Sequence, residues 1–308
     1  MEPRIAVLLP CLNEEVAIGQ VIDGFRRQLP NATIFVYDNG STDSTMEAAR
    51  RHGAVVRLEP LKGKGNVVRR MFADVEADVY VMADGDDTYD ASVAPEMVKQ
   101  LLSDSLDMVS GVRVEKVAAA YRPGHRFGNR LLTTLVSRIF GNRSSDMLSG
   151  YRVMSRRFVK SFPALSAGFE IETELTVHAL QLRVPIAERP TAYRDRPAGS
   201  ESKLRTISDG VRILRTIVQL VREEIPMFFY GTIGVLFALA SGLVAVPVVM
   251  EYTRSGLVPR LPTAVLATGL MIVGVLSIFC GLILTAVTRS RNEIKRLHYL
   301  ATSIRFTP

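Results

Sequence analysis

Short apolar runs alternate with stretches of helical period through the first 110 residues, and that rhythm predicts the architecture. Residues 5–9, 33–37, 54–58, 79–82 and 107–110 read as strands. Between them, residues 16–28, 44–51, 66–75 and 94–102 repeat apolar positions every three or four residues and read as helices. This alternation implies βαβ units and an α/β domain with a mostly parallel sheet, whose ligands bind beyond the carboxyl ends of the strands. Polar clusters fall at those ends: Asn13-Glu14 after the first strand, Asp38 to Asp43 after the second, and Asp84-Gly85-Asp86 after the fourth.

Further along, the pattern changes. Ile207, Val211, Leu214, Val218 and Val221 form one apolar stripe, flanked by Arg205, Arg212, Arg215 and Arg222. Such a helix, over 205–226, lies in a membrane interface. Packing against the preceding domain gives the same stripe, but the direct lead past Pro226 into an apolar segment at Met227 favours the interface. Residues 227–250 and 263–287 carry no charge, and each exceeds the roughly 20 residues that cross a bilayer. They predict a two-helix transmembrane hairpin over 227–288, with Tyr230 and Tyr252 near the interfaces. The connecting loop has Arg254 and Arg260 against Glu251, whereas the 289–308 tail has Arg289, Arg291, Lys295, Arg296 and Arg305. Positive-inside bias puts the N-terminal domain (1–204) and the tail in the cytoplasm. Gly234, Ala238 and Gly242, at four-residue spacing, suit close helix packing within one protomer or in a homo-oligomer. The first apolar run is too brief for a signal peptide.

The net charge of +7 and pI near 9.6 fit nucleic acid, anionic lipid or a phosphorylated substrate. Membrane flanks and phosphate account for much of that charge, and no RNA-binding aromatic motif is present, which excludes nucleic acid as partner. Cys11 and Cys280 are too far apart in context to imply a disulfide framework, and the four histidines lack metal-ligand spacing. There is no GxGxxG after the first strand and no P-loop. The turn Gly63-Lys64-Gly65-Asn66 reads equally as phosphate-facing amides or as a simple loop.

The segment 79–87 is the most informative: a β-forming run ends in Asp84-Gly85-Asp86-Asp87. Clustered carboxylates at a tight turn suit a hard divalent cation bridging to substrate phosphates, Mg²⁺ or Mn²⁺. A solvated Asp-Gly turn is the alternative.

Together, Leu9-Pro10-Cys11-Leu12-Asn13-Glu14-Glu15, Val36 to Asp43, Asp84-Gly85-Asp86, Asp146-Met147-Leu148-Ser149-Gly150-Tyr151-Arg152 and Gly199 to Leu204 resemble the family 2 glycosyltransferases of GT-A fold. Within these the chain looks like the polyprenyl-phosphate branch, the dolichol-phosphate mannose or glucose synthases. The resemblance covers about residues 5–204. It implies a Rossmann-like nucleotide-diphospho-sugar transferase domain in which Pro10, Asn13, Glu14 and Asp38 line the nucleotide pocket. The family often has a second aspartate where this chain has Asn39, a position that helps read the base. Asp84 and Asp86 match the DXD metal element, with Asp86 the better direct ligand; Asp87 reads as a metal neighbour or a solvated carboxylate.

The implied reaction moves a hexose-type sugar from a UDP-sugar (favoured over GDP) to undecaprenyl or dolichyl phosphate, with inversion. A lipid phosphate is already ionised and needs orientation more than a base, so arginine forks are the expected acceptor ligands. Of Arg113, Arg122, Arg126, Arg130, Arg138 and Arg152, family position favours Arg113 and Arg130, with Arg126 in reserve. Ser149 is expected at the same phosphate, and Ser202 and Lys203 match a loop that closes over the donor. Asp146 is expected to orient the sugar or an arginine, and Glu172 to contact the sugar; Glu170, Glu172 and Glu174 read as an acidic helix start. Two alternatives stay open: a family 2 transferase using a hydroxyl acceptor on another lipid or glycan, or a non-catalytic membrane scaffold.

Overall fold

The computed structural model describes residues 2–115, 146–194, 215 and 218–302. The chain forms two compact units, Met1–Ile213 with Ile294–Pro308, and Leu214–Glu293.

Among the described residues the first unit has seven strands: β1 (Ile5–Cys11), β2 (Thr33–Asp38), β3 (Val55–Leu58), β4 (Val79–Met82), β5 (Met108–Glu115), β6 (Arg152–Ser155) and β7 (Ile186–Tyr193). They lie in the order β3-β2-β1-β4-β6-β5-β7. β1 to β4 pair in parallel and β5 pairs parallel to β7, while β6 runs antiparallel to both β4 and β5. The expected GT-A-type sheet is therefore mixed. β6 and β7 escape a periodicity reading because β6 is only four residues long and opens on Arg152, and β7 contains Glu188, Arg189 and Pro190.

Helices cover both faces. Val7 and Leu9 point to one side with Ile18, Ile22 and Phe25 of α1 (Ile18–Gln28), Ala48 and Ala49 of α2 (Thr45–Arg51), and Met97 and Leu101 of α4 (Ala94–Ser103). Ala6 and Leu8 point to the other, with Val68 and Met71 of α3 (Lys64–Asp74), Phe158 of α5 (Arg156–Ser161) and Leu175 of α6 (Ile171–Leu182). A strand buried on both faces explains the unbroken apolar run of β1. Truncating Leu8, fully buried, to alanine costs about 2–5 kcal/mol.

The second unit holds most of two long helices, α7 (Pro226–Ser255) and α8 (Leu261–Ala301). Both have the length and composition to cross a membrane. Their large apolar side chains face outward, Leu243 at 75% exposed, as a lipid-facing surface requires. Pro226 starts α7 and Gly256, at φ 69°, ends it in the left-handed conformation that favours glycine. A Cβ on Gly234 would come within 2.7 Å of the Gly274 carbonyl oxygen, so glycine lets these backbones meet. Ser241 Oγ donates to the Ala267 carbonyl at 2.7 Å. Gly242, expected on the same packing face, looks into open space.

The last turns of α8 belong to the first unit, so the expected 289–308 tail is helical as far as Ala301. Tyr299 Oη donates to Asp107 Oδ2 at 2.7 Å with the Arg157 guanidinium 4.9 Å from its ring, and Lys295 Nζ donates to Gln181 Oε1 at 2.7 Å.

Candidate active site at the carboxyl edge of the sheet

Two loops brace each other where β1 and β2 end. Asn13, held at φ 51°, accepts the Thr42 amide at 2.8 Å and donates its own amide to Ser41 Oγ at 2.8 Å. Asp38 is fully buried and accepts the Gly40 and Ser41 amides, both at 2.8 Å, closing an Asx turn. The Glu14 amide donates to Thr45 Oγ1 at 2.8 Å. Pro10 pairs in register with Tyr37, one residue before Asp38. Pro10, Asn13, Glu14 and Asp38 are thus brought to one rigid corner.

Asn39 faces the chain itself. Its amide nitrogen donates to the carbonyls of Glu59 (3.1 Å) and Leu61 (2.7 Å), and its oxygen accepts the Gly63 amide at 2.6 Å. Only an amide side chain can both donate to two carbonyls and accept an N–H, which accounts for asparagine here.

β4 delivers Asp84 and Asp86 to the same edge. Gly85 between them packs on the first strand, where a Cβ would come to 2.4 Å from Cys11 Sγ. Asp86 is buried and accepts from Thr88 through its amide (3.2 Å) and hydroxyl (2.6 Å). Asp87 adopts φ 58°, and burial raises its carboxyl pKa against the pull of Arg194. The Thr88 carbonyl accepts the Arg194 amide at 2.9 Å, and Tyr89 bridges to Tyr193, tying this loop to the end of β7.

Lys64 is the residue that sequence reasoning missed. It opens α3, and its ammonium binds both Asp84 Oδ1 and Glu172 Oε1, the latter at 2.5 Å, with 9% of the side chain exposed. Burial alone would lower the lysine pKa; the Asp84 and Glu172 carboxylates outweigh it and hold the ammonium charged. The paired glycines of Gly63-Lys64-Gly65 were the available signal. The loop carbonyls of Ala167 and Ser166 press so closely on them that a Cβ would come to 2.2 Å and 2.0 Å respectively. Glu172, in the first turn of α6, is itself raised in pKa by burial.

On the neighbouring strands, Arg113 of β5 grips Asp146 through two parallel bonds, Nε to Oδ2 at 2.7 Å and Nη2 to Oδ1 at 2.8 Å. Its guanidinium lies 5.5 Å from the Tyr193 ring centre. The phenol of Tyr89, raised in pKa by burial, feels Arg113, Asp84 and Glu172 together, so the four share one neighbourhood. Ser149, expected at a phosphate, is fully buried; it donates to the Gly111 carbonyl at 2.5 Å and accepts the Tyr151 amide at 3.2 Å. That fastens the loop carrying Asp146. Arg152 is also fully buried and donates to the carbonyls of Met147, Ser149 and Glu172 and to Thr176 Oγ1. It is the strut of this loop. Arg122, Arg126, Arg130, Arg138, Ser202 and Lys203 lie outside the described residues.

Among the described residues no group of three or more His, Cys, Asp or Glu side chains is placed to hold a metal. Asp84 and Asp86, two residues apart on a glycine turn, instead fit the mode in which Mg²⁺ or Mn²⁺ takes one or two carboxylates and completes its shell with water and substrate phosphate.

A mixed sheet of this order, flanked by helices and carrying its acidic residues beyond the parallel strands, defines a GT-A-type transferase domain. The profile of Glycosyl transferase family 2 matches residues 6–162, and the chain belongs to that family. It is 32% identical to glycosyltransferase AglJ of Haloferax volcanii over 303 residues, 96% of this chain and 98% of that one. It is also 32% identical to the dolichyl-phosphate hexose transferase of the same organism, over 71% of this chain and 95% of the relative. Among solved structures, glucosyl-3-phosphoglycerate synthase from Mycobacterium tuberculosis, in complex with Mn²⁺, UDP-glucose and phosphoglyceric acid, superposes with a TM-score of 0.55 at 25% identity, over 70% of this chain and 79% of that one.

Proposed function

We propose that this chain transfers a hexose from a nucleotide sugar, UDP-linked in preference to GDP-linked, to the phosphate of an undecaprenyl- or dolichyl-type lipid at the cytoplasmic face of a membrane. The observation that carries this reading is the arrangement of charge around Tyr89: Asp84 with Glu172, and the Arg113 fork held by Asp146. The Asp84 and Asp86 carboxylates suit a cation on the donor diphosphate, and an arginine fork suits an anionic acceptor. The dolichyl-phosphate hexose transferase relative and the two helices long enough to span a bilayer support a lipid phosphate acceptor. The UDP-glucose and Mn²⁺ complex of the mycobacterial synthase supports the donor and the metal.

In this reading Asp84 and Asp86 hold Mg²⁺ or Mn²⁺, which when bound neutralises charge growing on the diphosphate leaving group. Pro10, Asn13, Glu14 and Asp38 wall the nucleotide, Glu172 faces the sugar, and Asp146 orients the Arg113 fork. Arg113, with Arg126, Arg130, Ser202 and Lys203, orients the acceptor phosphate. The phosphate oxygen forms a bond to the anomeric carbon as the bond to the diphosphate oxygen breaks, inverting the centre, and no proton need be removed first. Residues 1–204 form the catalytic domain, 205–226 the interfacial helix and 227–288 the two spans, with the flanking charges setting a cytoplasmic orientation.

The test is sugar transfer by the purified full-length protein to undecaprenyl phosphate, from a panel of UDP- and GDP-sugars, with Mn²⁺ or EDTA. EDTA-sensitive lipid-linked sugar is the expected product. Donor hydrolysis without lipid product would move the acceptor to another lipid or glycan. No turnover by folded protein would favour a scaffold.

A further inference from the structure

Lys64 holds one of the two oxygens of Asp84, the carboxylate at which a divalent cation would bind. Its ammonium takes Asp84 Oδ1 and Glu172 Oε1 at once, in a pocket that leaves it 9% exposed. The backbone beneath it has no room to shift. Gly63 adopts φ 122°, the Gly65 amide donates to the Ala167 carbonyl at 3.0 Å, and both glycines touch the 166–167 carbonyls too closely to accept a Cβ. The Phe169 ring centre lies 5.8 Å from the lysine nitrogen.

The charges settle what this arrangement does. Asp84 and Glu172 carry two negative charges and Lys64 returns one, so the pair is half neutralised from within the protein. A bare dication approaching Asp84 meets a like charge already on that carboxylate, in surroundings that screen poorly. A nucleotide diphosphate brings negative charge and extra oxygen ligands, which reverse the balance.

We propose that Lys64 is a positioning residue that bars the divalent cation from Asp84 until the diphosphate is present, so that metal and donor enter together. Glu172 is the second partner that keeps the ammonium in the site when Asp84 is taken. The inference rests on the reading that Asp84 and Asp86 hold the cation.

The test is Mn²⁺ binding to the full-length protein in detergent, followed by the electron paramagnetic resonance of the free ion, with and without UDP. Wild type is expected to bind Mn²⁺ at least tenfold more tightly with UDP than without. Lys64→Met should bind Mn²⁺ alone at least tenfold more tightly than wild type and so lose most of the UDP dependence. Lys99→Met, at an exposed lysine of α4, should behave as wild type and controls for the loss of one positive charge. If Lys64→Met folds poorly, Glu172→Gln gives the opposite sign. It leaves Lys64 wholly to Asp84, and Mn²⁺ binding without UDP should weaken. Equal UDP-free affinity in wild type and Lys64→Met, or unchanged or tighter binding in Glu172→Gln, overturns the inference. The metal reading still stands in that case if Asp86→Asn abolishes the UDP-dependent binding. Retention of that binding in Asp86→Asn overturns the metal reading, and the inference with it.

Discussion

Arg113 and Asp146 are joined by two parallel hydrogen bonds of 2.7 and 2.8 Å, with 14% and 7% of their side chains exposed. The aspartate fixes the plane of the guanidinium. Asp146→Asn keeps the shape but loses one acceptor oxygen, so the fork is no longer held on both sides. A hydrogen bond to a charged group contributes about 1.5–3 kcal/mol, which corresponds to about a 10- to 100-fold loss of transfer. The loss is expected in the KM for lipid phosphate, with UDP affinity unchanged. An equal fall in UDP affinity would place Arg113 at the donor instead.

Asn39→Asp is expected to destabilise the domain although it restores the more frequent residue of the family. The carboxylate would face the carbonyls of Glu59 and Leu61, which now accept from the amide. A buried acceptor left without its donor costs about 1–3 kcal/mol, read as a lower denaturant midpoint. UDP affinity should fall with it, because a carboxylate repelled by the Glu59 and Leu61 carbonyls moves away from the Gly63 amide that it would otherwise still hold beside Lys64. A variant as stable as wild type would show that the asparagine is not needed for this fastening.

Gly150 lies against Asp84, where an added Cβ would come to 2.6 Å from Oδ2. The neighbouring atom is the end of a side chain, so Gly150→Ala should push the carboxylate aside without unfolding the domain. We expect transfer to fall about tenfold, the equivalent of about 1.4 kcal/mol, with a change in melting temperature of only a few degrees. Gly63→Ala is the contrast. It meets a backbone oxygen at 2.2 Å and must also hold φ 122°, so it should lower stability first. Equal melting temperatures for the two variants would contradict this ordering.

Much of this was legible in the sequence, for reasons that can be named. Buried parallel strands write themselves as unbroken apolar runs, so β1, β2 and β4 and the acidic residues at their ends stood out. The two helices of the second unit were set by length and charge alone. β6 was hidden because Arg152, a charged residue, sits fully buried at its start, satisfied by three carbonyls and a hydroxyl supplied by the fold. Lys64 was hidden for a related reason. Its partners Asp84 and Glu172 are 20 and 108 residues away, and no local pattern reports a contact of that span. The sequence leaves Asp146 to orient either the sugar or an arginine, and only the packing of its loop onto β5 singles out Arg113.

His178 gives the pH dependence its sign. It is buried between the rings of Phe158 and Phe162, with Nε2 3.2 Å from Ser161 Oγ. Burial, helped by the Lys295 ammonium, lowers its pKa from 6.5 to about 3. The folded protein therefore keeps the imidazole neutral through the range in which the unfolded chain takes up a proton. Below pH 6.5 the unfolded state binds more protons, so stability falls as pH drops, by up to about 1.4 kcal/mol per unit until the folded pKa is reached. Above pH 6.5 this contribution is complete and flat. His178→Gln removes the titration, so the stability difference between wild type and variant should be greatest at pH 7 and shrink steadily from pH 6 to pH 4. Denaturant midpoints measured in detergent across that range check it. A difference that stays constant with pH would mean that His178 is protonated in the folded protein as readily as in the unfolded one.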